Sequence, residues 1–218
     1  DIPITRAVSD AVSIPVVVRI SGDEMTPKGI HIEEMISLGR ELKQRDVAAV
    51  HVSAGTGCST PPWFFQHMFV PKGKTWELAA TFRDAVEIPT IFVGRINSRH
   101  DVERLRSEYR ADYIAAGRAL VADPDFVEKV SKPEAAATPI RPCLACSEGC
   151  LGGVKSGQGL KCVVNPTAGN DDEALTPAVE SKRFAVVGGG LAGMQSALTL
   201  AQRGHKAKIY ERERLEGQ

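Results

Sequence analysis

Ile14-Pro15-Val16-Val17-Val18-Arg19-Ile20 is a near-continuous apolar run, the pattern of a parallel strand covered on both faces. Upstream, Ile2 to Val12 reads as the end of a helix. Downstream, a loop with Gly22, Pro27 and Gly29 leads to apolar Ile32, Met35, Ile36 and Leu42 at helical spacing, in a helix ending near Lys43. The unit then recurs. A strand from Val47 to Ser53 precedes a long loop and a helix from Thr75 to Val86. A strand from Pro89 to Val93 precedes a helix opening at Ser98, with Asp101 in capping-box position, and a strand from Tyr113 to Ala116 precedes a short helix after Pro124. Strand–helix units in such a row imply an α/β fold with a parallel sheet.

In parallel α/β folds function gathers at the carboxyl ends of the strands. Here those ends read Arg19-Ile20-Ser21, Ser53-Ala54-Gly55-Thr56-Gly57, Gly94-Arg95-Ile96 and Ala116-Gly117-Arg118. One Gly-Arg pair is an ordinary tight turn with a solvated cation. Two at successive strand ends, with Arg19 at a third, suit a phosphate cradle in which glycine lets backbone N–H groups close in and arginine adds a forked cation.

Four of the five cysteines fall between Cys143 and Cys162, as Cys143, Cys146, Cys150 and, after a glycine-rich loop, Cys162. Thiolates spaced CxxCxxxC with a distant fourth can converge on one metal centre. Disulfides are disfavoured, because the chain has no signal-peptide pattern and no apolar run long enough to span a bilayer. Zinc and iron–sulfur both stay open on spacing. Zinc more often takes paired CxxC knuckles, whereas three cysteines in one turn plus a fourth suit the corners of a cubane cluster.

The last motif is Gly188-Gly189-Gly190-Leu191-Ala192-Gly193, directly after an apolar strand from Arg183 to Val187 and opening a helix from Ala192 to Arg203. A GxGxxG alone is weak. Between strand and helix, and followed by a strand Ala207 to Tyr210 that ends in Glu211, it reads as dinucleotide binding with Glu211 as the ribose carboxylate.

Composition sets bounds on partners. The 218 residues are 43% hydrophobic and 25% charged, with 27 Lys+Arg against 27 Asp+Glu, so charge makes no case for nucleic acid or an anionic membrane surface. A cytoplasmic protein acting on a small molecule is the expectation.

The order VVVRIS (16–21), HVSAGTG (51–57), FVGRI (92–96), DYIAAGRALVADPDF (112–126), IRPCLACSEGC (140–150), KCVVNPTAG (161–169) and the glycine motif resembles the multidomain NADH:flavin oxidoreductases of the old yellow enzyme superfamily. That family includes 2,4-dienoyl-CoA reductase, 2-enoate reductase and trimethylamine dehydrogenase. The resemblance covers nearly the whole chain. It implies FMN on a barrel, a 4Fe-4S cluster, and a C-terminal domain binding FAD or ADP and, in the reductases, NAD(P)H. It places Arg19 against the FMN pyrimidine edge, where its cation stabilises negative charge on reduced flavin. It places Gly94, Arg95, Gly117 and Arg118 at the FMN phosphate, and makes Cys143, Cys146, Cys150 and Cys162 the cluster ligands. Gly188, Gly190, Gly193 and Glu211 fall to the dinucleotide. The family's usual Gly-Gly before Gln is Glu216-Gly217-Gln218 here, a departure that touches the pyrophosphate loop.

The fold class so implied is α/β: the C-terminal half of a (β/α)8 TIM barrel over 1–135, a Cys-rich iron–sulfur segment and linker over 136–180, and the first βαβ of a Rossmann-like FAD/NAD(P)-binding domain over 181–218. A whole barrel needs eight strands and roughly 250 residues, so the chain reads as a fragment, inactive by itself, of a longer enzyme. The loop from Cys58 to Lys74 is the substrate-facing stretch available; its Trp63, Phe64, Phe65, Gln66 and His67 read either as a structural cluster under a long loop or as the lining of a pocket over the flavin, with His67 the candidate catalytic acid or ligand, and Cys58 reads as an ordinary thiol. The function implied is transfer of electrons from NAD(P)H through FAD and the cluster to FMN, which reduces an activated C=C bond of an enoate or enoyl thioester. The alternatives are an amine dehydrogenase of the trimethylamine dehydrogenase type and a non-catalytic piece stapled by zinc. A homo-oligomer and, on the amine route, an electron-transfer flavoprotein are the protein partners these readings admit.

Overall fold

Pro15 has no backbone N–H to give to a sheet, and the first strand starts two residues beyond it, as β1 over Val17–Ser21. The computed structural model describes residues 2–132, 134, 138–170 and 176–213. Helix α1 (Ile2–Ala11) precedes β1; α2 (Ile32–Lys43), β2 (Ala49–Ser53), α3 (Pro61–Phe64), α4 (Lys74–Val86), β3 (Thr90–Phe92), α5 (Arg99–Ser107) and β4 (Tyr113–Ile114) follow in chain order. Strands β1-β2-β3-β4 lie side by side in sequence order and every pairing is parallel. An α/β fold with a parallel sheet is therefore what the residues form.

The register sorts the side chains to two faces. Ile20, Val52, Phe92 and Ile114 align across the strands and pack on the helix side, with Leu42, Trp76, Phe82 and Leu105 closing over them. Burial of this kind is the main stabilising term, and truncating a fully enclosed ring such as Phe82 to alanine costs about 3–5 kcal/mol. The other face presents the row Arg19, His51, Ile91 and Tyr113. On that face the outer strands stay open: Val17 is 51% and Tyr113 59% exposed.

Two short helices lie where sequence periodicity shows none, because they are too brief to carry a period. Pro61 and Pro62 start α3, prolines being tolerated in a first turn. Arg118 is the first residue of α6 (Arg118–Ala122), so the second Gly-Arg pair straddles a turn into helix. Helix α7 (Phe126–Ser131) follows Pro124. At α5 the Ser98 hydroxyl accepts from the Asp101 N–H at 3.2 Å and the Asp101 carboxylate accepts from the Ser98 N–H at 3.0 Å, the capping box written in the sequence.

Cα proximity divides the chain into two units, Asp1–Ala168 and Gly169–Gln218. The cysteine stretch belongs to the first, where a π-helical turn over Glu148–Gly152 runs into the single turn α8 (Gly153–Lys155). The boundary at 135/136 and the Glu216-Gly217-Gln218 ending lie outside the described residues. In the second unit β5 (Arg183–Val187) pairs in parallel with β6 (Lys206–Tyr210), and α9 (Leu191–Gln202) connects them. Among the described residues no helix is long and apolar enough to cross a membrane.

Candidate functional site

Arg19, Gly94, Arg95, Gly117 and Arg118 border one cavity of about 590 Å³ at the carboxyl ends of the strands. The backbone after β3 makes this possible. Gly94 sits at φ +117°, and a Cβ there would lie 2.2 Å from the Thr75 hydroxyl, so the position takes neither the conformation nor the bulk of another residue. Trp76 donates its indole N–H to the Gly94 carbonyl at 2.9 Å, and Arg95 follows in the left-handed region at φ +49°.

Both Gly-Arg arginines reach into the loop after α3. Arg95 donates to the carbonyls of Val70 at 2.7 Å and His67 at 3.3 Å, while its buried Nε has no hydrogen-bond partner. Arg118 donates to the Gln66 carbonyl at 3.0 Å, the Phe65 carbonyl and the Ser147 hydroxyl at 2.9 Å. Arg19 stands with its guanidinium 5.9 Å from the centre of the Phe64 ring. Beside it on β2, His51 has a buried, unpartnered Nε2; burial first, and the Arg19 cation second, hold its imidazole below the ordinary histidine value.

All four cysteines of the cluster motif line a second, smaller cavity together with Leu144, Val163 and Val164. Cys162 gets there because Gly149 has no side chain: a Cβ on it would lie 2.9 Å from the Lys161 carbonyl oxygen and 3.1 Å from the Cys162 Cα. The Gly149 carbonyl accepts from the Lys161 N–H at 3.1 Å, which ties the two stretches. Cys143 accepts an N–H from Ala145 at 3.3 Å. Burial pushes its thiol up, the Ala145 N–H and the Arg118 cation pull it down, and Cys150 and Cys162 push it up again; the net direction is upward. Among the described residues no three His, Cys, Asp or Glu side chains are grouped as one metal ion requires.

The two cavities share a wall. Arg118, Val121, Cys143, Ser147 and Cys150 border both. His67 is not among the residues bordering either cavity; its Nε2 is 3.1 Å from the Cys146 carbonyl oxygen and its Nδ1 accepts from the Phe69 N–H at 3.4 Å.

The glycine motif occupies the second unit by itself. Gly188 turns at φ +101°, and a Cβ on Gly193 would meet the Gly188 carbonyl oxygen at 2.0 Å, so the first turn of α9 can pack on the strand end only with glycine there. Gly190 has open space where a side chain would stand. Glu211 accepts from the Gly189 N–H at 2.5 Å, from the Glu213 N–H at 3.2 Å and from the Arg212 N–H at 2.6 Å, and these bonds hold its carboxyl below the usual range.

Sequence reading did not single out Trp76, Asn97, Ser147 or His51. Asn97, three residues past Gly94, donates its side-chain N–H to the Cys143 carbonyl. Asn97, Ser147 and His51 lie within a few residues of a motif or strand end already read, whereas Trp76 carries no such signal.

Comparison with known proteins now defines the class. The NADH:flavin oxidoreductase / NADH oxidase family matches residues 2–136, and the chain belongs to that family. An FAD binding domain model matches residues 183–217. The NADH oxidase of Thermoanaerobacter brockii is 37% identical over 214 residues, covering 96% of this chain and 32% of the relative. The cinnamate reductase of Clostridium sporogenes is 32% identical over 193 residues, 87% of this chain and 28% of the relative. Among solved structures, 2-naphthoyl-CoA reductase in complex with 2-naphthoyl-CoA is similar with a TM-score of 0.84 at 28% identity, over 95% of this chain and 32% of that one. Histamine dehydrogenase from Rhizobium sp. 4-9 is similar with a TM-score of 0.77 at 25% identity, over 95% and 30%. The chain thus spans about a third of the length of the relatives it matches.

Proposed function

We propose that this chain is the part of an NAD(P)H-dependent flavin oxidoreductase that joins an FMN barrel to an iron–sulfur cluster and to the start of an FAD- and NAD(P)H-binding domain, over 1–135, 136–180 and 181–218, and that the whole enzyme reduces an activated C=C bond of an enoate or enoyl thioester. The shared wall carries the reading: one cavity edged by three arginines, one ringed by four cysteines, and five residues common to both.

The residues suit the groups. Arg95 has a buried Nε in want of an acceptor, and Gly117 has open space beside it in sequence to Arg118, as an anionic phosphate would need. Four thiols round one space, three of them from a CxxCxxxC run and one already taking a backbone N–H, suit a 4Fe-4S cluster better than a single zinc ion, which more often takes paired CxxC knuckles. When bound, FAD would take electrons from NAD(P)H, the cluster would carry them singly, and FMN would deliver them to the C=C bond as hydride. Arg19 would hold negative charge at the flavin edge, Arg95 and Arg118 would hold phosphate, and Glu211 would accept ribose hydroxyl protons in hydrogen bonds.

The similarity to histamine dehydrogenase supports a second reading, amine oxidation with electrons exported to a protein acceptor. Anaerobic purification of the full-length protein separates the possibilities. The proposal expects broad visible absorbance, iron with sulfide, extractable FMN and FAD, and NADH- or NADPH-dependent reduction of trans-cinnamate. Colourless protein with stoichiometric zinc would overturn it, and bleaching by histamine but not by NAD(P)H would select the amine route.

A further inference from the structure

The cysteine loop is an awkward piece of backbone. Ala145 and Ser147 both stand in the left-handed region, at φ +56° and +59°, within five residues of chain that carry two thiols. Side chains other than glycine stay there only when their surroundings hold them. The surroundings here are specific donors from the strand-end loops. Asn97 donates to the Cys143 carbonyl, the Met68 N–H to the Ala145 carbonyl at 3.1 Å, and Arg118 to the Ser147 hydroxyl at 2.9 Å. The Cys146 carbonyl, next in the chain to that of Ala145, faces His67 Nε2 at 3.1 Å.

A carbonyl oxygen only accepts, so the ring hydrogen sits on Nε2; Nδ1, facing the Phe69 N–H at 3.4 Å, is then the acceptor. Both nitrogens are occupied, and the ring lies against Phe69 with centroids 4.9 Å apart. No lone pair or N–H is left over for a substrate.

We propose that His67 is a positioning residue for the cysteine loop, its Nε2–H fixing the carbonyl of Cys146, and that it takes no part in proton transfer. The loop after α3 and the cysteine loop then form one clasp, in which Met68 and His67 hold adjacent carbonyls. The consequence for the cluster rests on the function proposed above; the clasp itself does not.

The test compares His67→Gln, whose side-chain amide can reach the same carbonyl but cannot shuttle a proton, with His67→Leu and with His67→Asn, whose amide is too short to reach. The full-length protein is used, and Met68 amide hydrogen exchange reports the clasp with or without iron. Losing one neutral hydrogen bond should speed that exchange about tenfold in the Leu and Asn variants, and Gln should stay within about threefold of the native rate. Iron release to a chelator and the low-temperature EPR spectrum of the reduced cluster should follow the same order, with Gln restoring the native signature. Native exchange in the Leu or Asn variant would overturn the proposal, as would a Gln variant no better than Leu. Should Leu fail to fold, the Asn and Gln pair decides alone. Native protein without iron and sulfide would sink the cluster reading, while Met68 exchange would still settle the role of His67.

Discussion

Trp76 donates its indole N–H to the carbonyl of Gly94 at 2.9 Å from a position with no exposed surface, so helix α4 fastens the end of β3 at the residue before Arg95. Replacing Trp76 by Phe keeps most of the apolar contact and leaves the Gly94 carbonyl without its buried donor. The loss should be about 1–3 kcal/mol, read as a lower urea midpoint with an unchanged slope. On the proposed function the same variant retains less FMN after dialysis. A native midpoint would mean that the bond contributes nothing.

Gly149 and Gly152 form a matched pair within the π-helical turn. A methyl at Gly149 meets backbone atoms of Lys161 and Cys162 at 2.9–3.1 Å, whereas at Gly152 it makes an ordinary contact with the Ser147 carbonyl oxygen at 3.6 Å. Gly149→Ala should push Cys162 out of the cysteine ring and purify with little iron or sulfide; Gly152→Ala should keep its full content. Equal iron in the two proteins would show that the approach of Cys162 is not what completes the site.

Acid should loosen this protein through two carboxylates. Burial pushes Asp101 up, but hydrogen bonds from Lys72, Asn97 and Ser98 outweigh it and hold the group below its ordinary 3.8. Asp123 behaves alike: burial raises it, and the Arg141 N–H, Lys129 and the Asp125 N–H bring it below 3.8. A carboxyl whose folded value is depressed adds stability that is present above the unfolded value and lost as pH falls through the folded one. Urea midpoints should therefore hold at neutral pH and drop on acidification below about pH 4. Asp101→Asn should start about 1–3 kcal/mol lower at pH 7 and fall less steeply in acid, because it breaks charged hydrogen bonds and removes one titrating group. An acid limb as steep as the native one would remove Asp101 from the explanation.

Glu211 is the acceptor for three backbone N–H groups at the mouth of the glycine loop. On the proposed function Glu211→Ala should weaken FAD or NAD(P)H binding at least tenfold, since the ribose would lose its carboxylate partner. Flavin extraction and chromatography should then show FAD depleted and FMN unchanged. Loss of both flavins together would point to general unfolding.

The α/β character was legible from residues 14–116 alone, because short apolar runs alternate with helices whose apolar residues repeat near 3.6; the expectation that the first strand is covered on both faces fails, since β1 is an edge strand with Val17 exposed and the buried pattern belongs to β2 inside the sheet. The capping box at Ser98 and the CxxCxxxC spacing were legible because each is a pattern among residues a few positions apart. The lengths of β3 and β4 and the helices α3 and α6 were not, since elements of a few residues carry no period. Least legible were the bonds that make the site. His67 meets Cys146 across 79 positions and Asn97 meets Cys143 across 46. A side-chain donor serves any backbone carbonyl, so such a pairing leaves no mark in either stretch. It exists only once the parallel sheet sets the strand-end loops beside the cysteine segment, and that is why the sequence by itself named the thiols while only the tertiary structure decided what holds them in place.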